Sequence, residues 1–223
     1  MGLFGKKRAK AREAEADVAE AEVEKTVGPY DEAEAPEDDE LLECGALRLP
    51  PVEGATIQFT VERNREVVLG AVYIVGESAL QLQVFAAPKS SGLWDDVRAD
   101  MISSIASQGG SSREADGEYG REIHAQMPVE GSRTVNPVRY LGIDGPRWLL
   151  RATLTGRAAV DDAEARNLLH AVLDRLVVVR GVAAHPPRDI LPLEVPRSGS
   201  KHPEPQRDRI SLPRRGPEIS EVR

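Results

Sequence analysis

Hydrophobic and polar residues alternate along the first half of the central region. In residues 57–61, an apolar side chain occupies every second position, which predicts a strand with one buried face. Residues 67–75, VVLGAVYIV, are almost entirely apolar and predict a central strand that is covered on both sides. The alternation returns in residues 80–84, where Leu and Val flank two glutamines. These three segments predict successive strands of one sheet.

The second half of the central region continues with strand-like segments. Residues 119–127 place Tyr, Ile and Met among polar residues, and residues 138–141 begin another apolar run. This run leads into IDGPRWLLRATLTG, residues 143–156. Asp144-Gly145 between two apolar runs predicts the turn of an antiparallel hairpin.

The segment FAAPKSSGLWDDVRADMISSI, residues 85–105, predicts a turn followed by a helix. One apolar stripe follows the turn at helical spacing: Trp94, Val97, Met101 and Ile105. A P-loop needs an earlier glycine and then Gly-Lys-Ser/Thr, whereas here the lysine precedes the serines. Two acidic residues in the first turn already use the positive end of the helix. We therefore interpret Ser90 or Ser91 as a helix cap and not as part of a phosphate site.

A second amphipathic helix is predicted from Asp161 to Leu176. Asp161 followed three residues later by Glu164 resembles a capping box. The apolar stripe consists of Ala165, Leu168, Leu169, Val172 and Leu176. Residues 176–179 then predict a short last strand. This order predicts an α+β domain, in which a central, mainly antiparallel sheet is flanked by two main helices.

Charge divides the chain into three regions. Residues 1–43 hold 6 basic and 14 acidic residues, a net charge of -8 that equals the charge of the whole chain. With so few apolar residues, this region predicts a tail that is disordered or partly helical. Residues 196–223 carry five prolines and a net charge of +3, which predicts a second disordered tail. Residues 44–195 remain as a single folded domain.

Composition argues against several classes of protein. No run of about 18 apolar residues exists, which predicts the absence of integral membrane insertion. The single cysteine, Cys44, excludes an intrachain disulfide and is typical of a cytoplasmic protein. The acidic balance argues against nucleic-acid binding by the folded domain. A weaker alternative is peripheral membrane contact through Leu3, Phe4 and the basic start, which the following acidic stretch opposes.

Catalytic and metal-binding motifs are missing from the sequence. The four histidines are not spaced from another His, Cys or acidic residue as metal ligands: His124, His170, His185 and His202. The acidic residues beside Cys44 raise the pKa of a thiol and do not activate it. There is no Gly-x-Ser-x-Gly elbow of a serine hydrolase. We therefore predict no catalytic residue, no metal and no cofactor.

The strand over residues 147–155 has two unlike faces. One carries Trp148, Leu150, Ala152 and Leu154, and the other carries Arg147, Leu149, Arg151, Thr153 and Thr155. The simpler interpretation is a sheet with one buried face and one solvated, arginine-bearing face. The alternative is a patch that binds an anion or a partner. Its candidate residues are Arg147, Trp148, Arg151, Arg139, Lys89 and Trp94.

Three sequence blocks resemble an uncharacterised actinobacterial family, the domain of unknown function 3710 (DUF3710). They are FAAPKSSGLWDDVR, DGPRWLLRATLTG and VVVRGVAAHPPRDILPL, and the likeness extends from Gly28 to Pro192. This resemblance implies no established activity, cofactor or catalytic residue. The order of elements also resembles small α+β domains of the Mog1/PsbP type. That likeness implies a central sheet between helices and a role in binding or assembly.

Two functional hypotheses follow. The first is a non-catalytic interaction or assembly module, in which the domain supplies a sheet face or edge to an unknown protein partner and the charged tails supply attraction. The second is a small-ligand-binding protein or enzyme that acts on a phosphorylated metabolite or nucleotide. It requires the candidate side chains to converge on one pocket. The lack of a catalytic motif favours the first hypothesis.

Overall fold

A large antiparallel sheet forms the centre of the molecule, as the computed structural model of residues 27–62, 67–89 and 92–196 shows. The strands are β1 Tyr30–Asp31, β2 Leu42–Glu43, β3 Leu47–Leu49, β4 Thr56–Glu62, β5 Val67–Val75, β6 Ser78–Ala86, β7 Ser111–Gly117, β8 Gly120–Pro128, β9 Val135–Gly145, β10 Trp148–Gly156 and β11 Val177–Val178. The large sheet has seven strands in the order β4-β5-β6-β10-β9-β8-β7, and neighbouring strands are antiparallel. The predicted α+β class is confirmed.

One helix packs on each face of this sheet. Helix α1, Trp94–Ser107, lies mainly across β7, β8 and β9, and we call this side the α1 face. Helix α2, Asp162–Leu173, packs on the opposite side, the α2 face, after a 3-10 turn at Arg157–Ala159. The main hydrophobic core lies on the α2 face, and a smaller one lies under α1. The smaller sheet, in the order β1-β11-β3-β2, also contributes to the main core.

Both helices bury the apolar stripes that the sequence predicts, but only α2 is capped by the side chain of the residue that precedes it. Asp161 caps α2 as predicted, because its carboxylate accepts from the backbone N–H groups of Ala163 and Glu164. The Glu164 carboxylate does not complete a capping box and instead accepts from the Ser78 hydroxyl at 3.0 Å. Helix α2 ends at Leu173, three residues before the predicted end.

The start of α1 is capped from a distant strand. Asp144, near the end of β9, accepts from the backbone N–H of Leu93 at 2.7 Å and from that of Trp94 at 3.2 Å. A carboxylate at this position also interacts favourably with the positive end of the helix. The candidate caps Ser90 and Ser91 lie outside the described residues.

The hairpin turn lies two residues after its predicted position. Asp144 and Gly145 are still paired with β10, and Pro146-Arg147 form the two-residue connection. Arg147 has a φ of 66°, the left-handed conformation that the third residue of a type II turn requires. Proline fixes its own φ at about −65°, the value that the second residue of such a turn needs, so Pro146-Arg147 forms the turn, and Asp144 caps α1 instead.

Residues 27–43, which the charge pattern assigned to the N-terminal tail, pack against the domain. The N–H of Tyr30 donates to the carbonyl of Leu176, and Asp31 accepts from the indole N–H of Trp148 at 2.8 Å. Arg175 donates two hydrogen bonds to the Asp38 carboxylate. These acidic residues are therefore partners of the fold. Residues 1–26 and 197–223, with the predicted tails and the membrane alternative at Leu3 and Phe4, lie outside the described residues.

The sheet differs from the sequence-based expectation at two further strands. Strand β7 was not predicted, because SSREADG lacks an apolar alternation. Strand β5 was predicted to be covered on both sides, but Val72 and Ile74 on its α1 face are partly exposed. Helix α1 lies over the other half of the sheet and does not extend to β5.

The C-terminal segment of the domain inserts where β5 and β6 diverge. Their pairing stops at Ala71 and Leu82, and residues 188–193 continue alongside both strands. The N–H of Leu191 donates to the carbonyl of Val84, and that of Leu193 donates to the carbonyl of Val68. This segment closes the main core on the side opposite to β7.

Candidate functional site

The six candidate residues do not lie on one surface. Lys89 is exposed in the loop before α1, and Arg147 lies in the β9–β10 turn. Trp148 and Arg139 belong to the α2 face, whereas Trp94 and Arg151 belong to the α1 face. The single patch that the sequence suggested is therefore not formed.

Trp148 and Arg139 have structural partners on the α2 face. Trp148 is 1% exposed, and its indole N–H donates to the Asp31 carboxylate. Arg139 is 8% exposed, and its guanidinium pairs with Glu122 at 3.2 Å and with Asp162 at 2.9 Å. The indole N–H of Trp148 and the charge of Arg139 are thus both used within the fold.

Trp94 is also a packing residue, now on the α1 face. It is 5% exposed, its indole N–H donates to the carbonyl of Arg121 at 2.6 Å, and its ring covers Gly142. A side chain at Gly142 would overlap that ring, so glycine is required there for this close approach. Trp94 therefore fixes α1 to β9.

Arg151 has a different environment from Arg139. It lies in the middle of β10 on the α1 face, which the sequence predicted to be solvated but which α1 partly covers. Its guanidinium carbon lies 5.0 Å from the centre of the Phe85 ring, in a cation–π contact. Nη2 donates to the amide oxygen of Gln83, and Nη1 lies 4.0 Å from the sulfur of Met101. The charge is thus held by neutral groups.

An acidic partner for Arg151 is missing among the described residues. Its Nε–H is buried and makes no hydrogen bond there. Burial lowers the pKa of the guanidinium from its ordinary value, and the only charge interaction that opposes this shift comes from Tyr140. A partly buried cation without a carboxylate partner is energetically unfavourable unless another anion balances its charge. Arg151 is therefore a partly buried cation whose charge no described carboxylate balances.

A groove beside α1 gives access to Arg151. Its volume is about 340 Å³, within the range of small-ligand sites. Residues of strands β6, β8, β9 and β10 and of the second half of α1 line it. We call it the Arg151 groove; besides Arg151 its lining comprises Gln81, Ser104, Gln108, Tyr140 and Thr153, and the apolar Met101, Ile105 and Met127. None of these residues is acidic.

Two hydroxyl groups in the Arg151 groove are free to donate. The hydroxyls of Tyr140 and Thr153 make no hydrogen bond with any described residue. Burial raises the pKa of Tyr140, so its phenol stays protonated and remains a donor. One guanidinium and two hydroxyls thus surround a space in which an anion is the complementary ligand.

Of the residues that line this groove, only Arg151 was among the binding candidates predicted from the sequence. Gln83 was assigned to the polar side of β6, yet it is 8% exposed and orients the guanidinium. Met101 was identified only as part of the α1 stripe, and Met127 only as part of a strand. Both methionines of the described residues line the groove, a signal that composition alone did not reveal.

A second cleft lies on the α2 face, between α2 and strands β7 to β9. Two adjoining cavities of about 430 and 370 Å³ share Arg113, His124 and Asp162. Arg113 donates to Nδ1 of His124 at 2.9 Å, and Nε2 of His124 lies 3.3 Å from the Glu122 carboxylate. Glu122 and Asp162 already neutralise Arg139, so the charges of this cleft largely satisfy one another.

His124 lies between an arginine and a carboxylate in this cleft. Burial lowers its pKa first, and the neighbouring charges of Arg139 and Arg113 lower it further. Glu122 acts in the opposite direction. Because Arg113 donates to Nδ1, the ring proton belongs on Nε2, on the side of Glu122. His124 is therefore part of a polar network with Arg113 and Glu122.

The remaining features to describe are the thiol of Cys44, groups of metal-binding side chains and membrane-spanning helices. Cys44 is fully buried, and this burial, with a smaller effect of Glu43, raises its thiol pKa to about 11. Within the described residues, no three His, Cys, Asp or Glu side chains are grouped as a metal site. No described helix has the length and apolar character needed to cross a membrane.

A match to a protein family covers nearly all of the described fold. A family model described as a protein of unknown function (DUF3710) matches residues 28–202. The chain belongs to the DUF3710 family. The match begins within the ordered N-terminal segment, sixteen residues before the boundary that charge alone suggested. No curated protein matches the sequence.

A solved structure shows a weak likeness to this DUF3710 protein. It is cyanobacterial PsbP (CyanoP) from Synechocystis sp. PCC 6803, with a TM-score of 0.37 and 13% sequence identity. The likeness covers 63% of this chain and 94% of that chain. At this level it says nothing about function, and the α+β assignment rests on the strands and helices described above.

Proposed function

We propose that this DUF3710 protein is a cytoplasmic, non-catalytic binding module that holds an acidic group of a partner protein in the Arg151 groove. The observation that carries the proposal is Arg151 itself. It is a partly buried arginine that lines a groove and has no carboxylate partner among the described residues. An anion from outside the described fold would supply the missing charge.

The groove favours binding over chemistry. Arg151 and Tyr140 are the titratable residues in its lining. An arginine and a phenol whose pKa is raised do not exchange protons near neutral pH. Proton transfer would need a group that titrates there, so the lining is suited to holding an anion and not to transforming it.

Two features favour a protein partner over a phosphorylated metabolite or nucleotide. Met101 and Met127 give the wall an adaptable apolar surface of the kind that binds peptides. Lys89 and Arg147, the cations that a phosphate site was expected to recruit, do not line the groove. A single guanidinium is a sufficient anchor for one side-chain or terminal carboxylate.

The proposal is tested by titrating the full-length protein with a hexapeptide of leucine and glutamate residues and with a twin in which glutamine replaces glutamate. Backbone ¹H–¹⁵N spectra report the site. The expected result is saturable shifts at residues of the Arg151 groove with the acidic peptide, which Arg151→Gln abolishes.

The matched control is Lys89→Gln, which removes one positive charge from an exposed position outside the groove. It should bind the acidic peptide as the original protein does. Equal shifts with both peptides, or unchanged binding by Arg151→Gln, would overturn the proposal. Groove binding of inorganic phosphate or a nucleoside monophosphate without binding of the peptide would also overturn it, in favour of a small phosphorylated ligand.

A further inference from the structure

We infer that the Arg151 groove selects a monocarboxylate attached to an apolar group and discriminates against phosphate. This inference rests on the proposed function and adds the chemical class of the ligand. A partner would therefore present a side-chain or C-terminal carboxylate beside apolar residues. A phosphorylated residue would be rejected. Three independent features of the groove lead to this assignment.

The first feature is the amount of positive charge. Arg151 is the single charged residue in the lining, so a bound monoanion leaves the groove neutral. A phosphate monoester carries a charge near -2 at neutral pH, and one guanidinium would leave about one negative charge unpaired in a partly buried site. Sites that bind phosphate add further cations or several backbone N–H groups.

The second feature is the direction of α1. Ser104, Ile105 and Gln108 belong to the last turn of the helix and its C-cap, so the C-terminal end of α1 borders the groove. The aligned peptide dipoles of the helix give this end a partial negative charge, and α1 has no basic residue in its last turn. This field repels a dianion more strongly than a monoanion. Phosphate sites at helices use the opposite end.

The third feature is the division of the lining into polar and apolar parts. Arg151, Tyr140 and Thr153 offer donors from the sheet, and Met101, Ile105 and Met127 form an apolar wall. A carboxylate has two oxygen atoms that match the donors of the guanidinium and the Tyr140 hydroxyl. The carbon chain attached to it would then lie against the methionines. An isolated inorganic anion would leave that wall in contact with water.

The test compares probes that differ in one property. Acetate, butyrate and hexanoate vary the apolar chain, whereas hexyl phosphate and hexylamine vary the head group. Each is titrated into the full-length protein at pH 8 and constant ionic strength, with ¹H–¹⁵N shifts of groove residues as the measure. We expect affinity to rise by about two- to fourfold for each added methylene, the range set by partial to full burial of that group.

We also expect hexyl phosphate to bind at least about fivefold more weakly than hexanoate, and hexylamine to cause no saturable shift in the groove. Met127→Ala tests the apolar part of the lining independently of the polar part. It should reduce the affinity for hexanoate severalfold and leave that for acetate unchanged, because acetate has no chain to place on the wall.

The outcomes separate this inference from the proposed function. Hexyl phosphate that binds as tightly as hexanoate, or equal affinity for acetate and hexanoate, overturns the ligand class and leaves Arg151 as an anion site. The absence of saturable shifts with every anion overturns both. Arg151→Gln must abolish hexanoate binding, and binding that survives this change would also overturn both.

Discussion

Two arginines on adjacent strands of one sheet should respond in opposite ways to the same substitution. Arg151 has no acidic partner among the described residues, whereas Arg139 is paired with Glu122 and Asp162. Replacing each by methionine keeps a long, unbranched side chain and removes the charge. The comparison therefore separates a functional arginine from a structural one.

The expected change for Arg151→Met follows from its contacts. The substitution loses the hydrogen bond to Gln83, worth about 1 kcal/mol, and the contact with the Phe85 ring, worth about 0.5–1 kcal/mol. It also removes the cost of desolvating an unpaired charge, which is on the order of several kcal/mol in a buried site. We expect the free energy of unfolding to stay constant or to rise by about 1 kcal/mol.

Arg139→Met should instead destabilise the protein strongly. It leaves Glu122, which is 5% exposed, as a buried carboxylate without its arginine. Breaking one side of a buried ion pair costs about 3–5 kcal/mol. Asp162 is the more exposed partner and should contribute little to this loss.

Urea unfolding monitored by tryptophan fluorescence measures both variants. Trp94 and Trp148 are buried, one on each face of the sheet, so both faces are monitored together. The midpoint should be unchanged or higher for Arg151→Met and clearly lower for Arg139→Met, with a constant slope. A loss of more than about 2 kcal/mol for Arg151→Met would contradict the reasoning, because such a loss is typical of an arginine with a structural role.

Three further predictions concern other parts of the fold. Asp144→Ala should cost about 1–2 kcal/mol, seen as a lower urea midpoint, since it removes the cap of α1; Asp144→Asn should recover part of that loss, and an unchanged midpoint would show that the cap is not needed. Because the folded state holds the pKa of His124 below its unfolded value of about 6.5, stability should fall as the pH drops below that value, and His124→Gln should flatten urea midpoints measured from pH 7.5 to 5.5. Equal pH slopes with and without His124 would contradict this account. Burial and the raised pKa of Cys44 predict a thiol that reacts with a disulfide reagent only after denaturant is added, so immediate reaction in buffer would contradict the packing.

The fold was predictable where apolar residues follow a regular period. The stripe of α2 and the alternation in residues 80–84 correspond to buried positions, and Asp161 caps α2 as its sequence position suggests. Strand β7 was not predictable in this way, because its seven residues pair at the edge of the sheet without an apolar face. The charge pattern likewise did not predict the contacts of residues 27–43. Their charges indicated a tail, but Asp31 and Asp38 pair with groups of the folded domain.

The candidate site depended on contacts between distant segments. Arg151 was identified from the strand pattern, but nothing local distinguishes it from the paired Arg139. That difference arises because adjacent strands place the two side chains on opposite faces, where one meets Glu122 and the other meets Gln83 and Phe85. Periodicity likewise placed Met101 on a helix without showing that it lines the same groove as Met127.

Binding of an anion at Arg151 is measured most directly by the Nε–H signal of its own side chain. The signal can be assigned by its loss in Arg151→Gln and followed in ¹H–¹⁵N spectra of the full-length protein during a titration with hexanoate. We expect hexanoate to shift this signal saturably and hexylamine to leave it unchanged. An Arg151 signal that does not move while hexanoate shifts other arginines would contradict the account.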